Sequence, residues 1–267
     1  MKTTLETLNI TVEGQPIAGS LLAPAAAVPG VLFVHGWGGS QEQYLARARA
    51  VAALGFVCLT FDLRGHGGTI AQYETVSREH SLRDVLAAYD VLVEQRAVDP
   101  ASIAVVGSSY GGYLGAILTS LRPVKWLALR VPALYKDADW ALPKRQLHKQ
   151  HNLEVYRQQP VRPEESRALR ACAAFEGDVL IVESEYDHIV PHQVIVNYVE
   201  ACTHAHSLTY RVMQGADHGL SEEPCQHAYT SLLVNWLTEM LHGATGVGHV
   251  AQQQTPVQTK PQELPST

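Results

Sequence analysis

The chain has 267 residues, 46% of them hydrophobic and 17% charged, a balance that suits one globular core. Its formal net charge of -6 argues against a nucleic-acid binder, which would usually be basic. No apolar run approaches the ~20 residues of a membrane span, and Met1-Lys2-Thr3-Thr4-Leu5-Glu6 lacks the basic-then-apolar pattern of a secretion signal.

The first elements are two strands. Leu8, Ile10 and Val12 alternate with polar residues, Gly14-Gln15-Pro16 turns the chain, and Ile17 to Leu22 returns. Ala23 to Gly30 is a Pro/Ala linker. Val31-Leu32-Phe33-Val34 is wholly apolar, the mark of a strand covered on both faces. It runs into His35-Gly36-Trp37-Gly38-Gly39, where a lack of side chains lets backbone N–H groups come close to a ligand. A helix from about Gln41 to Leu54 stops at Gly55, and Phe56 to Phe61 is the next buried strand. That strand exits through Asp62-Leu63-Arg64-Gly65-His66-Gly67-Gly68. Glu79 to Glu94 carries Leu82, Val85, Leu86, Tyr89, Leu92 and Val93 at helical spacing, and Asp99-Pro100 reads as a turn.

Ile103 to Val106 is a short apolar strand that meets Gly107-Ser108-Ser109-Tyr110-Gly111 and a helix-competent stretch, Tyr113 to Leu121. A serine at so tight a strand-to-helix turn is forced into a strained backbone with its hydroxyl thrust above the sheet. The flanking glycines are needed because a Cβ there would strike the neighbouring strand or helix. Trp126 to Val131 is the next strand. Residues 132–176 then break the alternation with a polar insertion rich in Lys144, Arg145, Lys149, Arg157, Arg162, Arg167 and Arg170, expected as two or three short helices over the strand ends. Alternation resumes with a strand at Val179 to Val182, a helix from about His192 to Ala201, a strand at Leu208 to Met213 and a helix from about Pro224 to Leu241.

This order implies an α/β fold: a mainly parallel central sheet of about eight strands with helices on both faces and a small helical cap. Residues 1–242 are expected as one domain, and the Gln- and Pro-rich residues 243–267 as a disordered tail. Active sites in such sheets lie at the carboxyl ends of the strands, where every glycine-rich loop of this chain falls.

Serine is a weak nucleophile until a base takes its proton, and the base needs a partner to fix its tautomer. Asp187 stands just past the Val179–Val182 strand, and His218 follows the last strand in Gly215-Ala216-Asp217-His218-Gly219. The order Ser109, Asp187, His218 is that of a nucleophile, an acid and a base on one sheet. Asp178 and Glu183 lie before or within their strand, and Asp217 is too near His218 in the turn to face it readily, so all three are weaker partners. His188 and His192 read as surface residues near a site, and His35, Asp62 and Arg64 as loop braces. The oxyanion donors expected from position are the N–H groups of Tyr110 and Trp37. Trp37, Tyr135 and Trp140 are candidate walls of a substrate pocket. The basic residues of 132–176 could meet an anionic substrate, although a solvated helix face is the simpler reading. His204-x-His206 has no further ligands at metal spacing, and no phosphate-loop or dinucleotide pattern occurs, so neither metal nor cofactor is expected. Cys58, Cys172, Cys202 and Cys225 show no close pairing, which suits free thiols in a reducing, cytoplasmic setting.

Five motifs in order, His35-Gly36-Trp37-Gly38-Gly39, Asp62-x-Arg64-Gly65-His66-Gly67, Gly107-x-Ser109-x-Gly111-Gly112, Asp187-x-x-Val190-Pro191 and Asp217-His218-Gly219, resemble those of the α/β-hydrolase superfamily of serine hydrolases. The likeness spans roughly residues 5–241 and is nearest the dienelactone-hydrolase-like and prolyl-oligopeptidase-like esterases. It implies a carboxylesterase acting on small ester substrates through an acyl-enzyme, with a small peptidase or amidase, an acyltransferase, or a non-catalytic binding protein of the same fold as alternatives. Dienelactone hydrolases use a cysteine nucleophile, so their substrate does not transfer to a chain with Ser109. A short stretch ahead of the first motif disfavours a gating domain of the kind that selects oligopeptides. Neither nucleic acid nor a membrane is expected as partner, and a homo-oligomer stays open.

Overall fold

A computed structural model describes residues 4–23 and 28–243. The strands are β1 (Thr4–Val12), β2 (Gln15–Ala23), β3 (Val28–Val34), β4 (Val57–Phe61), β5 (Val98–Ser108), β6 (Trp126–Arg130), β7 (Asp178–Tyr186) and β8 (Ser207–Asp217). The helices are α1 (Glu42–Ala52), α2 (Arg78–Val93), α3 (Tyr110–Leu118), α4 (Lys144–His151), α5 (Leu153–Arg157), α6 (Arg167–Ala174), α7 (His192–Ala201) and α8 (Glu223–His242). The strands form one sheet in the order β1-β2-β4-β3-β5-β6-β7-β8. β1 and β2 pair antiparallel with each other and β2 with β4, and the other pairs are parallel.

The unbroken apolar runs follow from helices on both faces. Val31 and Phe33 of β3 join a cluster with Tyr44, Ala48 and Val51 of α1 and Tyr229, Leu233 and Trp236 of α8. Leu32 and Val34 point the other way, into a cluster with Val85 and Leu92 of α2, Leu114 of α3, Leu169 of α6 and Val194 of α7. Each such side chain contributes about 1.5–3 kcal/mol on burial, so β3 and β6 stay apolar up to their exits.

The chain leaves β3, adds β4 on one side and then crosses over to lay β5 on the other. That reversal opens a crevice beyond the ends of β3 and β5, the place where open α/β sheets bind ligands. Val34 pairs with Gly107, so the two strands end side by side.

Three differences from the sequence reading have physical causes. Asp99-Pro100 is no turn: Val98 and Asp99 pair with Val28 and Pro29, and a register shift beside Gly30 absorbs the proline before the main ladder resumes at Ile103. The nucleophile helix begins at Tyr110, directly after the turn. Cys172 of α6 and Cys202 after α7 bring their thiols together although both remain free, and this contact and burial raise the Cys172 thiol well above its ordinary range. The insertion folds as α4, α5, a 3₁₀ turn at Pro163–Glu165 and α6. The tail expected at 243–267 lies outside the described residues beyond Gly243.

Candidate active site

Ser109 links β5 to α3 with φ 53 and ψ -118, a conformation that costs a non-glycine residue about 1–3 kcal/mol. Its surroundings hold it there. The Ser109 N–H donates to Arg130 O at 2.9 Å, and its carbonyl accepts from Ala133 N–H at 2.9 Å and Tyr113 N–H at 3.1 Å. A Cβ on Gly107 would lie 2.5 Å from Gly111 O, and one on Gly111 would run into Val34 O. Both glycines are therefore dictated by the approach of backbone to backbone.

The side chains expected to act together lie together. His218 Nε2 is 3.0 Å from Ser109 Oγ, and His218 Nδ1 is 2.6 Å from Asp187 Oδ2. Asp187 stands one residue past β7 and His218 one past β8. The other Asp187 oxygen accepts from the N–H groups of Ile189 and Val190, each at 2.8 Å, which leaves Oδ2 for the imidazole. Burial alone would raise the Asp187 carboxyl, but the His218 hydrogen bond and the two N–H groups outweigh it and hold the carboxyl below its ordinary range. With an ionised acceptor at Oδ2, His218 carries its proton on Nδ1 and presents Nε2 to the serine hydroxyl.

The competing acids are engaged elsewhere. Glu183 binds His192 Nδ1 and the Tyr210 hydroxyl, Asp178 binds His206 and Ser207, and Asp217 accepts from both the N–H and the hydroxyl of Ser221. Among the described residues there is no cluster of three or more His, Cys, Asp and Glu side chains fit to hold a metal ion.

The glycine loop after β3 is fastened by two histidines. His35 is buried; its Nδ1 is 2.7 Å from Gly36 O and its Nε2 accepts from Leu63 N–H at 3.0 Å. His66 Nε2 accepts from Gly38 N–H at 2.9 Å while Nδ1 lies 3.1 Å from Arg64 O. Both patterns require a neutral ring, since a second ring proton would face an N–H donor. Burial drives His35 down to about 3 and lowers His66 as well. Arg64 is braced in turn by Asp84, Nε to Oδ1 at 2.6 Å, and Asp62 Oδ1 accepts Gln41 N–H at 2.8 Å. With Gly38 N–H engaged, Trp37 N–H has no acceptor among the described residues, and Tyr110 N–H, the first of α3, has no intrahelical one.

Of the three candidate pocket walls, only Trp37 borders the cavity at Ser109, a space of about 330 Å³. Tyr135 is buried edge-on to Tyr110 and Tyr113 at 5.8 and 4.9 Å, and Trp140 stacks on Tyr113 at 6.2 Å with the guanidinium of Arg167 4.3 Å over its ring. Neither lines that cavity. Two residues that do line it escaped sequence reasoning: Arg47 looks like an ordinary helix-surface residue, whereas Arg130, a cation closing a buried apolar strand, was a readable signal.

Two curated relatives, uncharacterized proteins of Mycobacterium tuberculosis strains H37Rv and CDC 1551, are each 30% identical over 195 residues, covering 71% of this chain and 63% of theirs. The chain thus spans under two thirds of their length. Similar solved structures include a dienelactone hydrolase from Anabaena variabilis (TM-score 0.63, 17% identity, 90% of this chain and 99% of that one) and Est1E from Butyrivibrio proteoclasticus with ferulic acid bound (0.68, 17%, 88% and 99%). A Bacteroides ovatus protein provisionally assigned as a dipeptidyl aminopeptidase IV has a TM-score of 0.68 at 18% identity, over 89% of this chain but 36% of that one. The family match runs over residues 42–244, from α1 past the exits of β5, β7 and β8 that carry Ser109, Asp187 and His218, and on it this chain belongs to the prolyl oligopeptidase family, of the α/β-hydrolase superfamily.

Proposed function

We propose that the protein is a carboxylesterase of small esters, with Ser109 as nucleophile, His218 as general base and acid, and Asp187 as its orienting partner. One observation carries the reading: an unbroken hydrogen-bonded line from Asp187 through His218 to a strained serine at the crevice of the sheet. Ser109 Oγ attacks the ester carbonyl carbon as its proton passes to His218 Nε2, and the N–H groups of Trp37 and Tyr110 receive the developing oxyanion. Collapse expels the alcohol, which takes the proton from His218, and leaves Ser109 acylated. Water attacks the acyl carbon as His218 takes its proton, and departure of the acid restores the serine. Asp187 keeps the imidazole oriented and offsets its charge while protonated. The four free thiols support a reducing, cytoplasmic setting.

Esters are favoured over peptides because the neighbours matched nearly end to end, at 99% of their length, are a dienelactone hydrolase and Est1E. The family name and the Bacteroides ovatus neighbour favour a second reading, a small peptidase or amidase using the same residues. The test is labelling by a fluorophosphonate probe together with rates on p-nitrophenyl acyl esters and aminoacyl p-nitroanilides. Labelling at Ser109 and ester turnover reduced at least ~10⁴-fold by Ser109→Ala are expected. Folded protein that neither labels nor turns over either substrate would sink both readings, and anilide turnover above ester turnover would favour the second.

A further inference from the structure

The cavity beside Ser109 is lined by two arginines and by no aspartate or glutamate. Arg130 is buried, with Nη1 3.3 Å from Ser184 Oγ and Nη2 2.7 Å from His218 O. Arg47 is held more loosely: its one hydrogen bond among the described residues runs from Nη1 to Gln43 O at 3.4 Å, and its Nε is buried with no acceptor. No carboxylate among the described residues forms an ion pair with either. Asp187, whose charge bears on Arg130, is engaged with His218. The two guanidiniums flank one ring, with Arg47 5.1 Å and Arg130 5.7 Å from the centroid of Tyr229. The Tyr229 hydroxyl and Ser108 Oγ are buried there too, near each other but without hydrogen-bonding geometry to any partner.

The buried Arg130 charge without a counter-charge is costly, and the buried Arg47 Nε–H left without an acceptor adds to the cost. Where such a group borders an open cavity, as Arg47 and Arg130 do, a ligand can supply the missing acceptor. The position is specific as well, since Arg130 also ties the carbonyl of His218 and holds the N–H of Ser109.

We propose that this cavity is an anion subsite, and that the substrate is an ester bearing a carboxylate held by Arg47 and Arg130. The ester part rests on the esterase reading; the subsite does not. A carboxylate presents two acceptors in one plane, the geometry that matches a guanidinium fork. Binding through charge-assisted hydrogen bonds away from bulk water favours the anionic ester over its neutral counterpart by about ten- to a hundredfold.

The test separates the subsite from the chemistry. Ser109→Ala protein, which cannot turn substrate over, is titrated by calorimetry with monomethyl succinate and with neutral dimethyl succinate. The monoester should bind at least about tenfold more tightly, the preference should shrink with salt, and Arg47→Met in the same background should abolish it. Arg47→Gln serves as a second variant should the methionine protein misfold. Equal affinities, including no measurable binding of either ester, or a preference that survives loss of Arg47, would overturn the subsite. Failure of the esterase reading shows separately, as wild-type protein that does not turn over p-nitrophenyl acyl esters.

Discussion

Two sets of cations stand around Ser109, and they are built differently. Lys144 and Arg157, both from the insertion, pack with the cluster on one face of the sheet; Arg47 and Arg130 sit with Tyr44 and Tyr229 on the other. Neither set forms an ion pair with a carboxylate among the described residues. The first set is completed by the protein. Lys144 Nζ lies 4.4, 5.2 and 5.5 Å from the ring centroids of Trp37, Tyr110 and Tyr135. Arg157 donates to Leu134 O at 3.1 Å and Ile189 O at 3.3 Å and covers Tyr135 at 4.9 Å. Burial alone would raise the Tyr135 phenol, yet the two cations beside it pull it below its ordinary range. The second set borders an open cavity and leaves the Arg47 Nε without an acceptor. The same chemistry thus serves as a bolt where the chain supplies the partners and as a receptor where it does not.

The largest expected break in this picture comes from adding a cation that neither arrangement can take. His35 is buried and neutral, with a folded-state value of about 3 against ~6.5 for a free histidine. Between those two values the unfolded chain binds a proton that the folded chain refuses, so stability rises with pH across that window. The contribution is complete above about pH 6.5 and is lost as pH falls toward 3, on the order of 5 kcal/mol at the limit. Urea unfolding at pH 7, 5 and 4 should show a steeper acid loss for wild type than for His35→Gln, whose amide can serve Gly36 O and Leu63 N–H without titrating. Parallel slopes would mean that His35 accepts its proton in place.

Next in size is the bolt. Arg157→Ala leaves the carbonyls of Leu134 and Ile189 without their donor and strips the cover from Tyr135. A loss of about 3 kcal/mol is expected, read as a lower urea midpoint at unchanged slope. Unchanged stability would mean that the insertion is not fastened through this residue.

The sequence made some of these parts legible and hid others for a physical reason. Strand exits could be read because apolar runs end abruptly in glycine, as Val34 does at His35-Gly36 and Val106 at Gly107. The candidate residues Ser109, Asp187 and His218 could each be put at an exit; their meeting needed the order β3-β5-β6-β7-β8, which no local pattern encodes. Lys144 and Arg157 looked like a solvated face because an insertion without apolar periodicity gives no hint of which side it lays on the sheet. Cys172 and Cys202 meet only because α6 and α7 pack together. Arg47, on a helix that also carries Arg49, becomes distinctive only beside Tyr229, at the far end of the chain.

The smallest effect decides the comparison. If Arg47 is kept for a ligand rather than for the fold, Arg47→Met should cost no more than about 1 kcal/mol, the size of a cation–π contact partly replaced by an apolar stem. Relief of uncompensated positive charge beside Arg130 works in the opposite direction, so the net change can approach zero. The measurement is the same urea midpoint, taken beside Arg157→Ala under one buffer. A loss as large as that of Arg157→Ala would place the Arg47 guanidinium among the structural cations; a stable Arg47→Met would leave the cavity as the reason for its charge.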